Sequence, residues 1–135
     1  EKGYRAWAGE INTETNPYEA GLGFAVSLKK DNFHGKAAAL AAQANLTRKL
    51  VAITFDDITC VPFGSEPIRI GEKIVGRIKS GGQGYTIKKA IAYAYLPIAQ
   101  TEVGTKVDVE FFGTWRSGVI CAEPLFDPSN ERIRC

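Results

Sequence analysis

The sequence predicts a mainly β protein, a small antiparallel β-barrel or two-sheet sandwich preceded by a short α+β segment. Three observations carry this reading. From Leu50 onward apolar residues recur with a period of two, as on a half-buried strand. Five or six such runs follow at intervals of about ten residues, the spacing of an all-β sandwich or barrel. The strongest helix-forming stretch, Gly35 to Ala44 (GKAAALAAQA), lies ahead of them all. The change of pattern at Asn45 to Lys49 divides the chain into residues 1–46 and 47–135.

Taken in order, Asn16-Pro17-Tyr18-Glu19 has the makings of a helix start. Asn16 caps, Pro17 suits the first helical position and Glu19 closes a capping box. Gly21 and Gly23 keep any helix here short. Phe24 to Leu28 alternates like a strand, and Lys29 to Asn32 is a polar turn. The Gly35–Ala44 helix ends at Asn45. Val51, Ile53 and Phe55 share one face of the first regular strand. Ile68 to Ile78 reads as two strands joined at Gly71-Glu72. Gly81, Gly82 and Gly84 open a loop. Ala90 to Tyr95 alternates small residues with Ile91, Tyr93 and Tyr95. Val107, Val109 and Phe111 mark another strand, and Gly113 turns the chain into Trp115 to Ala122.

With 135 residues, 44% of them hydrophobic, the chain can build a core in one or two small domains. Its charge is nearly balanced, 17 basic against 15 acidic residues. That lacks the clustered basic excess of a nucleic-acid binder. No run approaches the roughly 18 apolar residues of a membrane span. Cys60, Cys121 and Cys135 are widely spaced and His34 is the single histidine, so no metal-ligand pattern appears. The cysteines read as reduced thiols, which fits a cytoplasmic protein, or a mitochondrial-matrix one in a eukaryote.

Candidate sites are few. Ser80-Gly81-Gly82-Gln83-Gly84-Tyr85 invites a phosphate-binding reading, but a dinucleotide fingerprint needs a helix opening at its glycines. Here a strand follows, so a glycine-rich turn is the better reading. His34 has no Ser or Cys in a nucleophile elbow beside it. Asp56 and Asp57, adjacent on a strand, point to opposite faces and make a poor acid–base pair. Gly21-Leu22-Gly23-Phe24 differs, because glycines beside an aromatic ring let a flat heterocycle approach the backbone. On chemistry alone Phe24 still reads first as a core strand residue.

A family resemblance extends this reading. EKGYRAW, TETNPYEAGLGFAVSL, Phe33-His34-Gly35-Lys36, Arg48 to Val51, Gly76 to Gly81, Ile91 to Pro97 and Glu123 to Arg132 occur in one order along the chain. Together they resemble the C-terminal region of dimethylglycine and sarcosine dehydrogenases or oxidases. That region is itself similar to the aminomethyltransferase (T-protein) of the glycine cleavage system. The resemblance implies a parent in which an N-terminal FAD domain oxidises an N-methyl amine. A C-terminal module then binds tetrahydrofolate and captures the one-carbon unit as methylenetetrahydrofolate. Residues 1–46 would end the folate-binding domain, and 47–135 would be the final barrel of the module. EKGYRAW would then lie inside a larger protein.

By the same resemblance Phe24 falls where aminomethyltransferases have a tryptophan beside the pterin. Arg132 falls near a position lining the folate pocket, and Trp7 matches an aromatic position without an assigned contact. The family's key aspartate lies upstream, so no catalytic residue is expected here, and FAD would be bound elsewhere in the parent. The expected partners are the upstream domains and folate, with neither nucleic acid nor membrane. Exposed apolar surface around Tyr4, Trp7 and Gly21 to Phe24 would favour self-association. A fragment of an aminomethyltransferase without flavin is the alternative, and a ligand-free scaffold barrel a further one.

Overall fold

Alternation of apolar residues closes here into a six-stranded antiparallel barrel. The structure, a computed structural model, describes residues 1–134. Its strands are β1 (Arg48–Phe55), β2 (Pro67–Ile70), β3 (Lys73–Gly84), β4 (Lys89–Pro97), β5 (Lys106–Phe111) and β6 (Thr114–Cys121). They are hydrogen-bonded in the order β1-β4-β3-β2-β5-β6, and β6 returns to β1. Closure leaves no open sheet edge. The longest ladder joins β1 to β4, from Arg48 opposite Pro97 to Phe55 opposite Ala90.

The interior takes Val51, Ile53 and Phe55 from β1, Ile68 from β2, Val107, Val109 and Phe111 from β5, and Ile120 from β6. Phe55 and Phe111 meet edge to face at 5.5 Å. The small residues of β4 have a reason. Ala90, Ala92 and Ala94 face the barrel interior, where six strands converge and volume is short. Ile91, Tyr93 and Tyr95 project outward, yet they too are buried, with Leu50 and Ala52 of β1. What covers them is the N-terminal segment, residues 1–22, laid across this outer face. Tyr95 Oη donates to the carbonyl of Glu10 at 2.9 Å, and Leu50 N donates to the carbonyl of Glu19 at 2.7 Å.

Ahead of the barrel, α1 (Lys36–Ala44) is the one α-helix among the described residues, as its alanines predict. The capping box also forms: Asn16 Oδ1 accepts from Tyr18 N and Glu19 N, both at 3.0 Å, and Asn16 N donates to Glu19 Oε2 at 3.3 Å. What it caps is only a turn. Two expectations fail. Phe24 to Leu28 is not a strand, because Gly23–Ala25 forms a single 3-10 turn and Phe24 stands 87% exposed, with no neighbouring strand to pair. The glycines of the SGGQG run are not in a loop. Gly81, Gly82 and Gly84 lie in β3 opposite Ala92, Ile91 and Lys89 of β4. A Cβ at Gly81 would come within 2.5 Å of the Pro62 carbonyl oxygen, so glycine there admits the β1–β2 loop against the sheet.

Candidate functional site

Where the N-terminal segment crosses β1 and the end of β6, a cavity of about 580 Å3 opens. Tyr4, Arg5 and Phe24 line it on one side, Lys49 on another, and Glu123 and Asn130 of the closing segment on the third. Two exposed rings, Tyr4 and Phe24, border it.

Arg5 holds these pieces together. Its guanidinium donates to both carboxylate oxygens of Glu123, at 2.8 and 2.7 Å, and to the carbonyls of Gly3 and Ala20, at 2.9 and 3.1 Å. Its flat face lies 5.0 Å from the Tyr93 ring centre. Burial alone would pull the Arg5 pKa down, but the bonds and charge of Glu123 more than offset it, and the net shift is upward. Burial, then the charge of Glu123, raises the pKa of the Tyr93 hydroxyl. That hydroxyl has no hydrogen-bond partner, since Glu123 is turned onto Arg5. The neighbouring outward ring on β4 repeats the arrangement. Arg48 lies 5.0 Å over Tyr95 and pairs with Glu19 at 3.0 Å.

Other bonds tie the segment down. Glu10, buried, accepts from Ala6 N at 2.6 Å and from the Ser80 hydroxyl. Lys2 Nζ donates to the Asp127 carbonyl and to Asn130 Oδ1, both at 2.7 Å. The Glu1 carbonyl accepts from Leu125 N and Phe126 N at 3.0 and 3.1 Å. The cavity's ions are therefore mostly engaged with one another. Such a wall can stack a ring and hold an anion, for which the exposed Lys49 stands open.

Of the residues expected at a ligand, Phe24 lies on this cavity. Arg132 does not line it. Arg132 is exposed, with its guanidinium 5.1 Å from the Phe126 ring, although Pro128 and Asn130 just before it do line the cavity. Trp7 lies off the cavity, 68% exposed, its backbone bridged to Ile11. Arg5 and Glu123 are the pair that sequence reasoning missed. Nothing local links two residues 118 apart, and the only hint was a charge set among the aromatics of EKGYRAW.

The remaining candidates stay apart. Cys60 is buried, which pushes its thiol pKa up, with the charge of Asp57 adding to the effect. Cys121 lies 3.0 Å from the Thr54 hydroxyl. Cys135 falls outside the described residues. Among the described residues no three His, Cys, Asp or Glu side chains gather as a metal site, and no helix is long and apolar enough to cross a membrane.

Residues 48–127 match the glycine cleavage T-protein C-terminal barrel domain. The match begins at the first residue of β1. Human dimethylglycine dehydrogenase, a mitochondrial protein by name, is 41% identical over 138 aligned residues, which cover 99% of this chain and 16% of the relative. Aminomethyltransferase of Symbiobacterium thermophilum is 39% identical, over 91% of this chain and 33% of its own length. Mouse sarcosine dehydrogenase is 32% identical over 99% of this chain, again 16% of the relative. In three dimensions, the crystal structure of glycine cleavage system aminomethyltransferase T from Bartonella henselae superposes with a TM-score of 0.85. It does so at 24% identity, over 94% of this chain and 36% of that one, and so supports the fold. The chain spans a third or less of the first two relatives. Motif order, closed barrel and domain match converge, and the chain belongs to the glycine cleavage T-protein C-terminal barrel family.

Proposed function

We propose that this chain is the C-terminal portion of a tetrahydrofolate-binding module in an FAD-dependent N-methylglycine-type oxidoreductase. Its part is to help form the site where the one-carbon unit is captured. The observation that carries this reading is the cavity between the N-terminal segment and the barrel, with the Phe24 ring bare on its edge. A flat pterin would stack there, and the residues present suit such a ligand: rings for stacking and cations for carboxylates. Residues 1–46 would end the folate-binding domain and 47–135 would be its barrel, with upstream domains supplying the other walls. Arg132, beyond the Pro128–Asn130 wall, would lie at the rim near the folate tail, and Trp7 would face the rest of the parent. The parent's FAD would be held upstream, since the only glycine-rich run here is locked into β3. In a eukaryote a mitochondrial-matrix setting would follow by analogy with the dehydrogenases, and otherwise a cytoplasmic one. The 39% identity to an aminomethyltransferase supports a second reading, a folate module without flavin.

Calorimetric titration of the intact parent protein with a stable folate analogue tests this. Phe24→Ala should weaken binding by about 1–2 kcal/mol through lost ring contact. Arg132→Ala should act through charge, so its effect should shrink as salt rises. Flavin reduction by the amine should stay unchanged in both. Undiminished folate affinity in Phe24→Ala would remove this residue from the site.

A further inference from the structure

The strands lead to a second cavity, of about 630 Å3, at the opposite end of the barrel, beyond the C-terminal end of β1 and around the β5–β6 turn. It shares no lining residue with the first. Its floor is Phe111 and Cys60, both buried. Its rim is aromatic and bare: Phe63, Tyr85 and Phe112 are 83%, 75% and 92% exposed. Phe63 and Phe112 meet edge to face at 6.1 Å.

Neither ring arrives there by default. Phe112 and Gly113 form the two-residue turn between β5 and β6, with φ of +47° and +77°. That left-handed turn favours Asn-Gly, and a bulky residue in its first position is strained. The loop bearing Phe63 is pinned, because the Glu66 carboxylate accepts from Phe63 N and Gly64 N at 2.7 and 2.8 Å.

The polar groups of the cavity are engaged, with one main exception. Asp57 accepts from the backbone and hydroxyl of Thr59, which hold its carboxyl below the usual range. Gln83 donates to the Ile58 carbonyl and accepts from Tyr85 Oη. Arg116 shares the inward face of β6 with the buried Gly118 and Ile120. Among the described residues it forms no hydrogen bond or ion pair within 4 Å, although its charge reaches Asp57 and adds a smaller part to that carboxyl's lowered pKa.

We propose that this barrel mouth binds a small planar aromatic carboxylate, its ring against Phe63 and Phe112 and its carboxylate on Arg116. Barrel mouths with apolar walls and one or two placed polar groups are common ligand sites. A guanidinium fork matches a carboxylate in two parallel hydrogen bonds. The two rings supply stacking surface that the fold does not use. The site is independent of the folate reading.

The test is a titration of the 135-residue chain with 4-fluorobenzoate, 4-fluorobenzamide and 4-fluorobenzylamine, followed by fluorine NMR, with backbone amide shifts locating the bound probe. The benzoate should bind tightest, about tenfold ahead of the neutral amide, as a charge-assisted contact requires. Arg116→Gln should bring the benzoate down to the level of the amide. Phe112→Asn should weaken all three probes severalfold while raising the thermal midpoint, because it relieves the turn. Equal affinities, a preference for the amine, no saturable binding, shifts centred on Tyr4 and Phe24, or unchanged binding by Phe112→Asn would each overturn the proposal.

Discussion

Tyr93 condenses the chemistry of the outer face into one residue. Its ring is covered by Arg5, and its hydroxyl is buried without a partner. An unpaired buried hydroxyl costs roughly 1–3 kcal/mol, so Tyr93→Phe should leave stability unchanged or raise it by about 1 kcal/mol. The sign with pH is fixed as well. The folded pKa lies above the ordinary value of 10.0, so the folded state keeps its proton where the unfolded chain has lost it. The contribution is complete below pH 10 and drains away as pH rises beyond it. Urea denaturation between pH 8 and pH 11.5, roughly spanning that titration, should show an alkaline loss that Tyr93→Phe reduces. An identical alkaline slope in the variant would place the loss elsewhere. Little of this was legible in sequence. The alternation over Ala90 to Tyr95 announced two faces, but only the fold tells that the alanines point in and the rings lie under the N-terminal segment.

Among the elements, β4 and α1 are opposites. β4 is buried on both faces from Ala90 to Leu96, whereas α1 has no buried residue. Nine residues are too few for a helix to persist in water on propensity alone. Amide exchange on the 135-residue chain should find α1 almost unprotected, while the β1–β4 ladder exchanges only on global opening. Protection factors in α1 above about a hundred would mean that something covers the helix. The sequence located α1 to within one residue and β4 to within two, because a run of alanines and a two-residue period are local signals. It misjudged Phe24–Leu28 and the SGGQG run because the deciding partner is distant. Alternation in Phe24–Leu28 finds no strand to pair with. The glycines of β3 answer to Pro62 and to β4 rather than to a turn. The Phe24 cavity was half legible for the same reason: the exposed ring came from a motif, but the Arg5–Glu123 pair spans almost the whole chain.

At the scale of the molecule, a closed barrel is joined to a periphery that is much less covered. Tyr4, Trp7 and Phe24 stand 76%, 68% and 87% exposed, and Leu40 of α1 is 47% exposed. Apolar surface of this kind favours association. Sedimentation velocity on the 135-residue chain should show mass increasing with concentration. Replacing Tyr4 and Phe24 together by Ser should raise the concentration at the midpoint about tenfold or more, since each buried ring is worth roughly 1.5–3 kcal/mol. A monomer at all concentrations, or association unaffected by the double replacement, would reject this surface.

The contacts of Glu1 and Lys2 with residues 125–130 also have a mechanical meaning. The two ends of the chain are clasped to each other directly, through Leu125, Phe126, Asp127 and Asn130. A tug on Glu1 is therefore shared between the closing strip beside the Phe24 cavity and the β3–β4 turn, whose Thr86 and Ile87 amides donate to the Glu1 carboxylate at 2.8 and 3.0 Å. The clasp works as a tie: a shift at Glu1 is felt both at residues 125–130, beside the cavity, and at one corner of the barrel.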